Sequence, residues 1–395
     1  MSDIVIVSAV RTPFGNFGGS LKSFKAVELG AAAIKEALHR AGIEGHQVDE
    51  VIMGMVVPAG AGQIPGRQAS LLSGIPAEVP VVTINKVCGS ALKAVTMGVQ
   101  AIKAGDAEVI VAGGMESMSN VPYTAPDFRW GSRMGNATMK DTLIQDGLWC
   151  PVNDVHMAVI ASEVAKEFEI SRESQDKWAL RSQLRWEQAE ADGKFKSERM
   201  SLDIKTKQGM ITFEKDEFPK SGTTLEKLAS LPPVFTKDGS ITAGNAPGMN
   251  DGASAVVIMS GKKAAELGLK PLAKIIDYAQ ASKDPKYIAS VPGLAIQKLL
   301  TKRNLTLNNI DLLEINEAFA AVPLVSCKLL GMDEQAMDEK VNVNGSAIAV
   351  GHPIGASGAR VLMTLIYELQ RQQKKTGIAA ICSGMAQGDA VLIEI

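Results

Sequence analysis

The sequence has little net charge, few cysteines and no long apolar run. Its 395 residues carry a formal charge of −2 at neutral pH, so no general attraction for nucleic acid or for an anionic membrane is expected. No apolar stretch reaches the length that spans a bilayer. The four cysteines are far apart, with no Cys-x-x-Cys or His-x-x-x-His pair, which argues against a zinc site and a disulfide framework. These features predict a globular protein with reduced thiols, no bound metal, and neither nucleic-acid nor membrane partners.

The two termini carry no recognisable targeting signal. Residues 1–10 combine a short apolar run with an acidic residue and lack a basic n-region, which is typical of a strand and not of a signal peptide. Residues 392–395 do not form a peroxisomal signal. We therefore expect a cytoplasmic protein.

Apolar runs rich in valine and isoleucine alternate with stretches of helical periodicity, which predicts an α/β fold. The predicted strands are 3–9, 50–56, 80–87, 107–113, 253–260, 272–278, 310–315, 377–382 and 389–394. The predicted helices are 25–41, 89–103, 171–192, 290–303, 317–330 and 356–371.

The chain looks duplicated. Residues 111–115 (VAGGM) end a strand in the first half, and residues 381–385 (ICSGM) end one in the second, each at a similar distance after a Gly-Ser-rich helix start. The stretch between the halves is more charged and richer in short helices, as in an inserted loop domain. We therefore expect an N-terminal core of residues 1–118 and 249–270, a loop domain of 119–248 and a C-terminal core of 271–395.

Cys88 lies where a buried strand turns into a helix, followed by Gly89 and Ser90. At a helix N-terminus, the partial positive charge and the free N–H groups stabilise a thiolate and so lower the pKa of a cysteine. The same N–H groups can hold a developing oxyanion. The position therefore suits a nucleophile. Packing of an inert cysteine at a strand end explains this segment alone equally well.

Two further residues could complete such a site. His352 lies in a glycine-rich loop, 351–358, that opens a predicted helix, and its flanking Gly351 and Pro353 offer little to pack against, which favours a base or a hydrogen-bond donor. Cys382 lies at the repeated strand end, where the duplication would bring a second thiol to the edge of the sheet that holds Cys88. A Cys–His pair is a known means of activating a thiol.

Three other residues allow a structural or a functional interpretation. Asn316 follows a predicted strand, where it could be the N-cap of helix 317–330 or could fix a catalytic water. His156 and Met157, in the inserted region, could donate to a carbonyl and fill a pocket, or could simply pack.

With these residues in view, the chain resembles the thiolase family over essentially its whole length. The resemblance is carried by residues 85–90 (NKVCGS), 113–119 (GGMESMS), 242–246 (TAGNA), 250–253 (NDGA), 316–319 (NEAF) and 351–358 (GHPIGASG). It implies the thiolase fold, with two similar α/β cores in an αβαβα arrangement and a loop domain over the substrate site. It also implies coenzyme A thioester substrates without a permanently bound cofactor, and a homodimer or homotetramer.

The resemblance further implies reversible condensation of two acetyl-CoA molecules to acetoacetyl-CoA, with the following roles. Cys88 accepts the acyl group, His352 activates it, and Cys382 is the general acid and base. Asn316 positions a water, and the N–H groups of Cys88 and Gly384 hold the oxyanion. The substrate-binding positions are His156, Met157, Lys220, Phe235, Ala243, Pro247 and Phe319.

Some positions depart from the family pattern. Pro247 replaces a common serine that contacts the pantetheine amide, Met385 and Ala386 replace glycines, and Lys220 replaces an arginine near the nucleotide. These changes leave two alternatives open: a 3-ketoacyl-CoA thiolase of broader chain length, and a thiolase-like acyl-CoA binding protein without turnover. A decarboxylating ketoacyl synthase ranks behind both, since it has no reason to keep Cys382.

Overall fold

The computed structural model describes residues 3–207 and 209–395. The strands in these residues are β1 (Ile4–Arg11), β2 (Gly15–Asn16), β3 (Glu50–Gly54), β4 (Val81–Ile84), β5 (Val109–Ser117), β6 (Tyr123–Thr124), β7 (Lys140–Asp141), β8 (Trp149–Cys150), β9 (Val155–His156), β10 (Leu202–Thr206), β11 (Gly209–Phe213), β12 (Asn250–Ser260), β13 (Ala273–Ser282), β14 (Leu312–Ile315), β15 (Thr376–Ser383) and β16 (Gln387–Glu394). The α-helices are α1 (Ala26–Ala41), α2 (Pro65–Leu72), α3 (Ser90–Ala104), α4 (Met157–Glu167), α5 (Arg172–Ala191), α6 (Leu225–Ala229), α7 (Gly261–Glu266), α8 (Val291–Arg303), α9 (Ala321–Leu329), α10 (Glu334–Lys340), α11 (Ala347–Val350) and α12 (Ser357–Arg371).

The strand order is the same in the two halves. The first half has the order β4-β3-β5-β12-β1, and the second has β14-β15-β16-β13. In the second half Val341 forms a parallel bridge with Leu313 of β14, at the outer place that β4 holds in the first half. A short antiparallel pairing of β1 with β13, between residues 4–6 and 273–275, joins the two sheets. The predicted pair of similar α/β cores is therefore confirmed.

The layers follow from which faces of the helices are apolar. Helices α3 and α12 pack on each other and on strands of both halves, and together they form one buried core. Helices α1 and α2 cover the outer face of the first half, while α8 and α9 cover that of the second. At the closest point of the central layer, a side chain at Gly358 of α12 would run into the backbone of Leu92 of α3, so only glycine fits there.

The segment between β5 and β12 packs on both halves through specific hydrogen bonds and ion pairs. Its longest helix, α5, begins after Ser171, whose Oγ accepts a hydrogen bond from the backbone N–H of Ser174, a typical N-cap. The indole of Trp178 donates to Glu317, which also accepts from the hydroxyl of Ser182. The predicted helix 171–192 is thus confirmed, and α5 is fixed to the second half beside β14. The domain boundaries 119–248 stay a prediction.

One predicted helix was placed too early. The helix expected at 317–330 begins at Ala321, so the interpretation of Asn316 as its N-cap is wrong. The intervening residues are held by tertiary contacts: Glu317 binds α5, and the backbone N–H of Ala320 donates to Asn245. These long-range contacts keep residues 316–320 out of the helix. Among the described residues, no helix is both long and apolar enough to cross a membrane.

Candidate active site

Cys88 lies in a turn that the chain holds in a strained conformation. The turn joins the end of β4 to the start of α3, and Val87 within it has a φ of 47°, in the left-handed region that a β-branched residue rarely adopts. Asn85 accepts from the N–H of Val87 at 2.9 Å, and the hydroxyl of Ser90 accepts from Lys86 and donates to Val87. These local hydrogen bonds fix the turn, which leaves the Cys88 side chain buried, with only 4% of the residue exposed.

The structure brings Cys88 together with Cys382 and Gly384. The backbone N–H of Gly384 lies near the sulfur of Cys88 and acts to lower its pKa. Cys382, near the end of β15, lies close enough for a charge on Cys88 to raise its pKa. A thiol from each half of the duplicated chain therefore meets at one point, beside a backbone donor.

Burial governs the protonation of both thiols. Burial raises the pKa of Cys88 to about 12, and the nearby carboxylate of Glu116 acts in the same direction. The backbone N–H groups of Cys88 and Gly384 lower the pKa, but by less. The expectation of a lowered pKa from the helix N-terminus alone is therefore wrong. Burial likewise raises the pKa of Cys382 well above its ordinary value, so both are thiols at neutral pH.

His352 is held on two sides within the loop that precedes α12. Its backbone N–H donates to the Oδ1 of Asn250 at 2.9 Å, and its Nδ1 lies 2.6 Å from the hydroxyl of Ser357. Burial lowers its pKa to about 3, with the charge of Arg360 acting in the same direction, so the imidazole is neutral at pH 7. The start of α12, which follows the loop, packs on the start of α3, which brings the loop beside the Cys88 turn.

Asn316 is fixed by a buried ion pair. Its Oδ1 accepts from a guanidinium nitrogen of Arg360 at 3.0 Å, and Arg360 pairs with Glu314 at 2.8 Å. The Nδ2 of Asn316 and the Nε2 of His352 are buried without a hydrogen-bond partner in the described part of the chain. Unpaired buried polar atoms are rare in folded proteins, and here one can donate and the other can accept or donate.

Sequence reasoning missed Arg360, Glu314 and Asn250, which orient these side chains. A signal for Arg360 exists in the sequence, because it is a charged residue within the apolar run 359–363 (ARVLM) of α12. An arginine buried in such a place requires an acidic partner, and Glu314, in a strand of apolar residues, is the corresponding signal. Asn250 gave no comparable signal, since its role depends on a loop distant in sequence.

Met157 and His156 lie at the start of α4. Met157 is buried, and its sulfur is 3.3 Å from the position that a Cβ on Gly384 would take. His156 stacks on Phe235 with ring centroids 3.7 Å apart, and its Nδ1 accepts from the N–H of Ala158. Met157 therefore borders Gly384, whereas His156 is engaged in packing and capping.

Lys220 and Ala243 line a separate pocket of about 320 Å³. Phe218, Leu228, Gly244 and Ala246 also line it, and the ammonium of Lys220 lies 5.0 Å from the centre of the Phe218 ring. Pro247, which follows Ala246, is half-buried. Phe319 packs with Ala246 in the apolar cluster that includes Ala158 of α4. Helix α4 thus contributes to the cluster beside Ala246 and, through Met157, to the surroundings of Gly384. No group of three or more metal-ligating side chains is found in residues 3–207 and 209–395.

Comparisons with known proteins agree with this fold over the whole chain. Residues 4–262 match the model of the thiolase N-terminal domain, and residues 269–395 match that of the thiolase C-terminal domain. The chain therefore belongs to the thiolase family. It is 51% identical to an acetyl-CoA acetyltransferase of Cupriavidus necator, with all of both chains covered. It is 50% identical to one of Escherichia coli, which covers 100% of this chain and 99% of that one. A crystal structure of the acetyl-CoA acetyltransferase of Bacillus anthracis superposes with a TM-score of 0.96 at 44% identity, covering 100% of this chain and 99% of the other.

Proposed function

We propose that the protein is an acyltransferase that condenses two acetyl-CoA molecules to acetoacetyl-CoA and coenzyme A, and that catalyses the reverse cleavage. The supporting observation is the position of the Cys88 sulfur under the N–H of Gly384 and beside Cys382. One thiol can carry an acyl group while the other moves a proton, and the N–H group can hold the oxyanion between them.

In the first half-reaction Cys88 attacks the thioester carbonyl of acetyl-CoA. Because the thiol is protonated at rest, the neutral imidazole of His352 takes its proton as the C–S bond forms. The negative charge that develops on the carbonyl oxygen is held by the N–H groups of Cys88 and Gly384; removing one such donor typically costs ~10²–10³ in turnover. The bond to the CoA sulfur then breaks, the CoA thiolate takes the proton from His352, and acetyl-Cys88 remains.

In the second half-reaction the neutral His352 takes the proton of Cys382, and the Cys382 thiolate removes a proton from the methyl carbon of a second acetyl-CoA. The resulting carbanion attacks the acetyl carbonyl on Cys88, forms the new C–C bond and expels the Cys88 thiolate. The protonated His352 then returns its proton to the Cys88 thiolate, so both thiols and the neutral imidazole are restored. The oxygen of the enolate is held by His352 and by a water on the free amide N–H of Asn316.

The surroundings of Gly384 favour a short acyl group. Met157 touches Gly384 from α4, and Met385 follows it directly in the chain, so two large side chains border the place where the acyl group would lie. The CoA portion would extend into the pocket of Lys220 and Ala243, where the lysine charge can pair with a phosphate. No further cofactor enters these steps.

Mass spectrometry tests the proposal. Incubation with acetyl-CoA should add one acetyl group at Cys88, and Cys88→Ser should lose acetyl transfer to CoA. Cys150→Ser, which changes another buried thiol, should retain it. Cys382→Ser should still form acetyl-Cys88 yet make no acetoacetyl-CoA. Absence of any acetyl adduct on wild-type Cys88 would falsify the proposal, while an adduct without product would favour the binding protein without turnover.

We further propose a homodimer, or a pair of dimers, assembled through the edge strand β4. Its residues Val81–Ile84 are half-exposed at the end of the sheet, and Leu72 of the neighbouring α2 is 62% exposed. An apolar open edge of this kind pairs readily with a second copy. Sedimentation should show a dimer or larger assembly that Val82→Glu dissociates. Leu184→Glu, at an exposed leucine of α5, should leave the assembly intact; a wild-type monomer contradicts this proposal.

A further inference from the structure

A buried ion pair joins the Cys88 turn to the second half of the chain. The Nζ of Lys86 lies 2.8 Å from Oδ1 and 2.7 Å from Oδ2 of Asp389. The lysine and aspartate side chains are only 12% and 1% exposed. Gln280 of β13 also donates to the same carboxylate at 2.8 Å. Lys86 is two residues before Cys88, so the pair acts on the turn itself.

A second contact joins the same two segments. The backbone N–H of Gly89 donates to the hydroxyl of Ser383 at 2.9 Å. Lys86 and Gly89 stand on either side of Cys88, so both ends of the turn are attached to the second half. Their partners belong to the β15–β16 pair, in which Cys382 lies opposite Gly388. The two contacts therefore fix the nucleophile against the strands that carry the second thiol and Gly384.

A buried lysine–aspartate pair adds little to the stability of a fold, so stability alone does not explain the presence of this pair. Taking a lysine and an aspartate out of water is costly, and apolar residues of similar size are often as stable in the same place. The Lys86–Asp389 pair lies beside Val87, whose left-handed backbone must be held by its surroundings. The buried ion pair between Lys86 and Asp389, which lies in the sheet, restrains the backbone of this strained turn.

We propose that Lys86 and Asp389 are positioning residues that hold the Cys88 sulfur under the N–H of Gly384. Their role in acyl transfer rests on the proposed function, whereas their effect on the Cys88 thiol does not. When the pair is removed, the turn relaxes and the sulfur loses its N–H donor. The thiolate is then less stable and the oxyanion donor is misplaced; an error of about 1 Å at such a site can cost ~10²-fold in rate.

A set of four variants separates positioning from stability. Lys86→Met and Asp389→Asn each remove one partner. The double variant removes both and leaves no lone buried charge, so its thermal unfolding midpoint should recover toward that of the wild type. Lys302→Met/Asp277→Asn is the matched control, because this Lys–Asp pair, 2.6 Å apart, joins α8 to β13 away from the thiols.

Two readouts are taken on each variant. The first is the rate constant for alkylation of Cys88 by iodoacetamide at about pH 8, followed on the Cys88 peptide. This rate depends on the thiolate fraction, and therefore on the N–H of Gly384 and the charge of Glu116, and it requires no CoA substrate. The second is the rate of Cys88 acetylation by acetyl-CoA in a single turnover.

The double variant should regain stability, but its Cys88 should be alkylated at least about tenfold more slowly than that of the wild type. Its acetylation should stay at least about tenfold slow, and the control pair should match the wild type in both readouts. If Cys88 of the double variant is alkylated and acetylated at wild-type rates, the pair has only a structural role and the proposal is overturned. If the double variant does not fold, Lys86→Met, which leaves Asp389 hydrogen-bonded to Gln280, replaces it with the same criterion. A wild type that is not acetylated overturns the proposed function, while the alkylation rates still decide the role of the pair.

Discussion

The Nδ1 atom of His352 lies 2.6 Å from the hydroxyl oxygen of Ser357. The same hydroxyl is 2.9 Å from the carbonyl oxygen of Pro353, to which it donates its single proton, because a carbonyl can only accept. Ser357 must therefore accept from His352, and the proton of the neutral imidazole is assigned to Nδ1. The lone pair is then on Nε2, the buried atom without a partner in the described residues. Ser357 thus sets His352 in the tautomer that a base requires.

Ser357→Ala is expected to lower kcat by about tenfold to 100-fold, with a KM close to that of the wild type. The imidazole loses the acceptor that fixes its tautomer, and with it part of the ~10²–10⁴-fold that a positioned general base contributes. Steady-state kinetics of acetoacetyl-CoA cleavage measure the effect. Ser254→Ala is the matched control, because Ser254 also donates to this loop, at the carbonyl of Ala356, without touching His352. An equal loss of kcat in both variants would show that the loop, and not the tautomer, is affected.

Arg360→Met is expected to destabilise the protein by about 3–5 kcal/mol, because it leaves Glu314 buried without its cation. The amide of Asn316 also loses its anchor, so kcat should fall in the fraction that remains folded. Urea unfolding measures the first effect. Arg371→Met, on the same helix, breaks a more exposed pair with Glu368 and should cost at most about 1 kcal/mol. Similar losses from the two variants would contradict the importance of burial.

The sequence predicted which residues form the candidate site better than it predicted the burial and protonation of these residues. Cys88, Cys382 and Gly384 meet because a duplicated strand-turn-helix pattern returns both strand ends to one place, and such a pattern is visible in the sequence. The protonation of Cys88 was predicted in the wrong direction. Its pKa is set mainly by burial, which depends on contacts from both halves, whereas the sequence shows only the adjacent helix start.

The start of α9 illustrates a second limit. Asn316 has the residue type and the position of an N-cap, and local propensity favours a helix from 317 onward. The helix nevertheless begins at Ala321, because Glu317 and Ala320 are committed to contacts with the inserted region. Local patterns cannot show contacts with residues so distant in the sequence. The side-chain amide of Asn316 does not cap α9; instead, Arg360 donates a hydrogen bond to it in the candidate site.

Pro247→Ser is expected to lower the KM for acetyl-CoA by about twofold to tenfold with kcat unchanged. In the thiolase pattern a serine is common here, and its hydroxyl supplies one hydrogen bond, worth about 0.5–1.5 kcal/mol, to the pantetheine arm. The position suits this role, since Ala246 beside it lines the pocket of Lys220. Pro232→Ser, at an exposed proline of the same region, controls for backbone loosening. A KM that both variants lower equally would reject the hydrogen bond as the cause.

His156→Asn is expected to reduce the dependence of stability on pH in weak acid. Burial lowers the pKa of His156 to about 4, whereas an unfolded histidine titrates near about 6.5. Between these values the unfolded chain binds more protons, so the stability that is present above about pH 6.5 is lost as the pH falls toward about 4. Asparagine keeps an acceptor for the N–H of Ala158 but does not titrate. Urea unfolding at about pH 7.5 and about pH 5 should show a smaller difference for this variant. Phe235→Leu removes the stacking alone and should retain the wild-type difference.

Met385→Gly is expected to widen the acyl range. Met385 follows Gly384 with a φ of 63°, and its sulfur lies 3.9 Å from that of Cys150, so a large side chain is held in a backbone conformation that favours glycine. Deleting it opens space beside Gly384, where one additional methylene is worth about 1–3 kcal/mol in a fitted apolar pocket. The ratio of kcat/KM for the six-carbon over the four-carbon 3-ketoacyl-CoA should rise at least about tenfold.

Ala386→Gly separates the two possible causes of such a change at Met385. Ala386 is the next residue, has a φ of 48° and is fully buried, so its replacement relieves backbone strain of the same kind without removing a large side chain. If the volume of Met385 limits the acyl chain, Ala386→Gly keeps the wild-type substrate ratio. If both variants shift the ratio equally, loop flexibility sets the acyl range, and Met385 has no part in selecting the substrate.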